Sequence, residues 1–175
     1  MAKGDSGVVA AQPPQAMTTE EYQKVNFNDF KKGEEAAAEA NKALASISNK
    51  EFSSATDLAK EWDLAVRPVS DKYGVEIASK IFLKDDKHFM FGAAYSDGNT
   101  VRVNSAIAPD VSRVNYREHG YIHTHPWNES FSGDDISWLK FRDHPMDERA
   151  YVTLPNGQIY EGRLGGPNGH QRRIY

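Results

Sequence analysis

Two histidines stand two residues apart in the run Tyr121-Ile122-His123-Thr124-His125-Pro126, and no other residues of this chain are better spaced for chemistry. On a β-strand side chains alternate between faces with period two, so both imidazoles project to one side and can converge on a single cation. The next segment, Ser132-Gly133-Asp134-Asp135, can bring a carboxylate to the same point if it opens a helix. Two imidazoles and one carboxylate make a three-ligand set with a fourth position open to water. That is the pattern of a catalytic zinc site, whereas structural zinc sites are closed by four protein ligands. Such a set implies metal-assisted hydrolysis. The chain has no cysteine, so any metal must be held by histidine and carboxylate.

The elements that position these residues can be read from periodicity and punctuation. Residues 1–17, with Gly4, Gly7, Pro13 and Pro14, form a flexible arm. Residues 18–74 form a helical segment. In it Gly33 to Ser48 is rich in Ala and Glu, and a second helix starts near Ser53 or Ser54 and ends before Pro68. A turn through Ser70 to Gly74 leads into β structure. Val75–Leu83 and His88–Tyr95 make a hairpin around Lys84 to Lys87, followed by a turn at Ser96–Asn99 and a short strand at Thr100–Asn104. His119–Thr124 is the strand that carries the histidines, and Gly133 to Arg142 is a helix with Ile136, Trp138, Leu139 and Phe141 at core spacing. Tyr151–Leu154 and Gln158–Arg163 pair across Pro155-Asn156-Gly157, and the glycine-rich end is loop. The expected fold class is α/β, a mixed β-sheet flanked by helices, with an N-terminal helical segment.

Composition bounds the function classes. Hydrophobic residues at 39% of 175 support one folded domain with a real core. A formal charge of −4 gives no attraction to nucleic acid, and Arg172-Arg173 is too short to change that. The only apolar patch before residue 22 is Val8 to Ala11, too short for a cleavable signal peptide, and no stretch has the length of a membrane span. A soluble protein is expected, either cytoplasmic or exported by a specialised secretion system.

A strand-borne H-T-H-P, then S-x-x-D opening a helix, with a glutamate on an earlier strand, resembles the JAMM (JAB/MPN) metalloprotease family. The resemblance spans roughly Val75 to Phe141 and leaves the first seventy residues outside it. It implies a JAB/MPN-like metallohydrolase domain over residues 75–175 holding Zn2+. The implied ligands are His123, His125 and Asp135, with Ser132 as oxyanion partner and Glu76 as general base. The implied reaction is hydrolysis of a peptide or isopeptide bond. The chain resembles the divergent bacterial JAB-like domains, some found in polymorphic toxins and secreted effectors, more than the eukaryotic deubiquitinases. A protein or peptide substrate and a cognate immunity or inhibitor protein follow as expected partners. The family usually places ten residues between the second histidine and the aspartate; here there are nine, which keeps Asp134 open as the ligand in place of Asp135.

Each residue has a plainer alternative. Ser132 and Asp135 also make a capping box, which satisfies helix N–H groups with no metal. Glu76 alone is an ordinary strand glutamate. Glu118 is closer in sequence to the histidines, but in a regular strand it has the opposite parity and turns to the other face. His119 has the ligand parity, yet it lies ~7 Å of strand short of His123, which suits packing or support rather than ligation. His88, His144 and His170 have no ligand spacing and are read as surface. Trp127 lines a substrate groove or is simply packed. Two further functions compete: a non-catalytic JAB-like interaction module, and a metal-dependent phosphoesterase or nuclease. The latter is disfavoured by the negative charge and the lack of a second carboxylate cluster.

Overall fold

The computed structural model describes residues 19–98, 115–131, 135, 148–163 and 170–175, with side chains in α1 from residue 29 onward. Two helices, α1 (Thr19–Leu44) and α2 (Ala55–Tyr73), precede six strands: β1 (Ala78–Lys84), β2 (His88–Phe91), β3 (Tyr116–Thr124), β4 (Arg149–Thr153), β5 (Ile159–Arg163) and β6 (His170–Arg173). The strands form one sheet in the order β2-β1-β3-β4-β5-β6. Only β3 and β4 run parallel; every other pair is antiparallel. The fold class is therefore α/β, a mixed sheet with helices. No described helix is long and apolar enough to cross a membrane.

Both helices share one core with the sheet. Ala36, Ala40 and Leu44 of α1 and Leu58, Trp62 and Val66 of α2 pack with Ile81, Ile122, Tyr151 and Ile159. The small residues of α1 let it lie close, and Asn41 exchanges two hydrogen bonds with the backbone of Ala94 (3.0 and 2.7 Å). Trp62 is fully buried and satisfies its indole N–H on Ser79 Oγ at 3.0 Å. On the other face a smaller cluster of Phe131, Ala150, Val152 and Leu154 seals the sheet beside the histidines.

α2 departs from expectation at its end. It begins as read, with Ser54 Oγ accepting from Asp57 N (3.1 Å), but runs through Pro68 to Tyr73 and stops at Gly74 (φ 64°). Pro68 removes one donor, to the carbonyl of Leu64, and Leu64 is 77% exposed, so water can satisfy that carbonyl. Ser70 to Tyr73 is thus helix, not turn. The first hairpin pairs as expected but is shorter, with Lys84 opposite His88. The second pairs Thr153 with Ile159 across a turn with Gly157 at φ 88°. The chain end is not all loop: β6 adds an edge strand to β5. The arm at residues 1–17, the strand at 100–104, most of the helix at 133–142 and His144 lie outside the described residues.

The parity assigned to Glu118 and His119 is overturned. The register between β1 and β3 slips so that Ile81 pairs with Gly120 and Phe82 with Glu118, leaving His119 as an extra residue in a β-bulge. Glu118 consequently shares the face of His123, but it lies far along the strand, paired with Lys80 at 3.3 Å. His119 turns to the helix-packed face, where it meets Phe89 and the Tyr151 hydroxyl (2.9 Å). Gly120 makes the bulge possible. Its φ is 153°, and a Cβ there would collide with the Arg149 carbonyl of β4. Gly120→Ala should therefore lower stability by about 1–3 kcal/mol or more. Thermal unfolding beside the wild type checks this, and an unchanged midpoint would contradict it.

Candidate metal centre

His123 stands at the end of β3 and His125 just past it, and the alternation of the strand turns Thr124 between them the opposite way. Thr124 bonds to Ser70 Oγ (2.8 Å), accepts from Ile77 N (3.1 Å) and donates its own N–H to the Ile77 carbonyl (2.9 Å). These bonds hold the link between α2 and β1 against the strand. Glu76, the residue before Ile77, is thereby fixed beside His125 and is 1% exposed. Its carbonyl accepts from Ser96 Oγ at 2.6 Å.

Arg67 of α2 fastens the strand end from the same side. It donates to the carbonyl of His125 (2.7 Å), to the carbonyl of Thr153 (2.7 Å) and to Thr153 Oγ1 (2.9 Å). Asp63 anchors the guanidinium at 3.2 Å. One side chain from the helical segment therefore bridges the ends of β3 and β4.

The side chains converge tightly. His123 Nε2 and His125 Nε2 are 3.2 Å apart, and Asp135 Oδ2 lies 3.4 Å from the first and 3.3 Å from the second. These three atoms form a nearly equilateral triangle. A tetrahedral metal with bonds of ~2.0–2.1 Å separates its donor atoms by ~3.3 Å, so the triangle has the size of one face of such a coordination shell. Glu76 Oε1 is 3.1 Å from His125 Nε2, and Glu76, His123 and His125 offer donor atoms all within 4.8 Å of one another. This buried group can hold a metal ion. Two carboxylates thus compete for it, but Asp135 touches both imidazoles evenly.

The protons give a second argument. His125 Nδ1 lies 2.7 Å from the Glu129 carbonyl, which can only accept, so Nδ1 carries a hydrogen. Nε2 then points its remaining valence at two carboxylates and an imidazole. Either a second proton or a metal ion satisfies that arrangement. Burial disfavours a charge on His125, but Asp135 and Glu76 outweigh it and raise its pKa to about 9. Burial likewise opposes charge on Asp135, yet His123 and His125 hold it well below the usual carboxylate range. Glu76 moves the other way, raised by burial that the histidines only partly offset. The two acids are driven apart, one kept ionised and one readier to carry a proton.

Supporting residues complete the shell. Tyr121 donates to Asp135 Oδ1 at 3.3 Å and stacks on His123, and burial followed by the charge of Asp135 keeps its hydroxyl protonated. Trp127 stacks on His125 with ring centres 4.8 Å apart. Of the residues picked out in the sequence, His123, His125, Glu76 and Asp135 come together, and Glu118 stays apart. Ser132 and Asp134 lie outside the described residues. Sequence reasoning missed Arg67, Tyr121 and the Glu129 carbonyl. The parity of Tyr121 with His123 could have flagged it; the other two carry no local signal.

Replacing Arg67 should loosen this end of the sheet. Arg67→Ala is expected to lower unfolding free energy by about 2–4 kcal/mol, with Arg67→Lys recovering only part, because one ammonium nitrogen replaces the two guanidinium nitrogens that reach the two carbonyls separately. Denaturant titration of both variants measures it, and an unchanged midpoint in Arg67→Ala would contradict the bridging role.

The chain matches no protein-family model, no curated protein and no solved structure. The candidate centre therefore stands on its own geometry.

Proposed function

We propose that this chain is a zinc-dependent metalloprotease or isopeptidase of the JAMM (JAB/MPN) type that hydrolyses an amide bond. The observation that carries the proposal is the triangle of His123 Nε2, His125 Nε2 and Asp135 Oδ2, with sides of 3.2 to 3.4 Å and a second carboxylate beside it. The donor set of two imidazoles and carboxylate suits zinc, and His125 has its tautomer set by the Glu129 carbonyl as metal-ligating histidines commonly do. Zinc would supply the Lewis acidity that polarises a carbonyl and acidifies water.

The chain's own residues take the other roles. His123, His125 and Asp135 are the ligands, and Tyr121 orients Asp135 through its second oxygen. Glu76 is the general base: it accepts a proton from the attacking water at its carboxylate and delivers it to the leaving amine. Its burial and its contact with His125 place it where a proton from the attacking water can be taken and returned. Ser132 is assigned as oxyanion donor by the resemblance of S-x-x-D alone. Trp127, over His125, walls the approach to the site. The substrate is a protein or peptide. A role as a bacterial toxin or secreted effector, opposed by a cognate immunity protein, follows from the resemblance.

Two variants test this directly. His123→Ala should lose nearly all zinc by elemental analysis, while wild type carries one per chain. A wild type without stoichiometric metal would instead indicate an interaction module. Glu76→Gln should keep zinc and fold but lose ~10²–10⁴-fold of peptide hydrolysis or of toxicity in a bacterial host. Full activity in that variant removes Glu76 as base.

A further inference from the structure

Each imidazole of the histidine pair is backed by an aromatic ring. Tyr121 lies against His123 with ring centres 5.1 Å apart and planes at 23°, and Trp127 lies against His125 at 4.8 Å and 21°. The rings differ in what else holds them. Tyr121 is committed to Asp135 through its hydroxyl, and Phe131, a third ring beside His123, is buried in the small core cluster. Trp127 belongs to neither core cluster of the described residues and is only partly buried. Its indole N–H meets no acceptor among the described residues, whereas that of the fully buried Trp62 is bonded to Ser79.

The loop after β3 fixes this ring from both sides. Pro126 restrains the backbone before it. After it, Asn128 Oδ1 accepts from Asn156 N in the turn between β4 and β5 (3.0 Å), and the Glu129 carbonyl accepts from His125 Nδ1 (2.7 Å). The imidazole covers one face of the indole, so the accessible part of Trp127 is its far face and edge. A tryptophan held rigid in this way offers apolar contact to a ligand at small entropic cost. In an amide attacked at this site, the side chain closest to the reacting carbonyl is that of the residue that owns it. Trp127 stands one ring from His125, so that side chain is the part of a substrate within its reach.

Resting on the metallohydrolase reading, we infer that Trp127 sets the substrate class. The residue that supplies the attacked carbonyl carries a large apolar side chain, aromatic above all, which packs on the open face of the indole. Calorimetric titration of the zinc-loaded full chain with N-acetylphenylalanine hydroxamate and N-acetylglycine hydroxamate tests this. The two probes share the metal-binding group and differ only in the benzyl group. The phenylalanine probe is expected to bind about tenfold or more tighter than the glycine probe. Trp127→Ala should keep one zinc per chain and bind the glycine probe as wild type does, with the two probes now within about threefold of one another. Trp127→Phe, which keeps a ring against His125, should retain most of the preference. Equal binding of the probes by wild type overturns the inference, as does an undiminished preference in Trp127→Ala. Loss of zinc or of glycine-probe binding in Trp127→Ala also overturns it, because the indole then serves to support His125. Failure of zinc-loaded wild type to bind either probe removes the metallohydrolase reading itself, and this inference with it.

Discussion

His125 Nε2 sits within 3.3 Å of Glu76, Asp135 and His123, while its Nδ1 is committed to a backbone carbonyl. Buried acceptors crowded this closely repel unless something positive lies among them. A proton on His125 meets the need electrostatically, and a metal ion meets it with the spacing that the three donor atoms already have. The surrounding structure is arranged to keep these groups together in spite of that repulsion.

The restraint comes from the helical segment that precedes the histidine strand. Arg67 of α2 holds the carbonyls of His125 and Thr153, and Ser70 of the same helix holds Thr124. The link after Gly74 then lies along the end of β3, which is how Glu76 reaches His125. α2 is buried against the sheet through Leu58, Trp62 and Val66, so its polar contacts to the strand end are made from a rigid base. Helical segment and sheet thus share one core, and the site's precision depends on both.

Much of this was legible in the residues. The histidine pair could be assigned to one face because β3 is regular from Gly120 onward, and the Asn156-Gly157 turn named its hairpin. Parity failed upstream because the bulge at His119 reverses it; Gly120 inside a strand pattern was the available sign. Pro68 reads as a helix stop only if its side of the helix is buried, which sequence does not reveal. β6 was missed because His170-Gln171-Arg172-Arg173 has no apolar alternation; it is held as an edge by backbone bonds to β5 and by the cross-strand bond of Arg172 to Glu161. Arg67 bonds to a residue 86 positions away, beyond any local pattern. Glu76 was picked out as a candidate base by family resemblance alone; its contact with His125 and its burial became visible only in three dimensions.

On the proposed reading His123, His125 and Asp135 hold one metal ion, with Glu76 beside it. Anomalous diffraction at the zinc edge, from crystals of the zinc-loaded chain, tests this most directly. One peak is expected, ~2.0–2.2 Å from His123 Nε2, His125 Nε2 and an Asp135 oxygen, with Glu76 beyond bonding distance. A peak ligated by Glu76 or Asp134 in place of Asp135 would contradict the ligand set, and no peak at the histidines would contradict the metal centre itself.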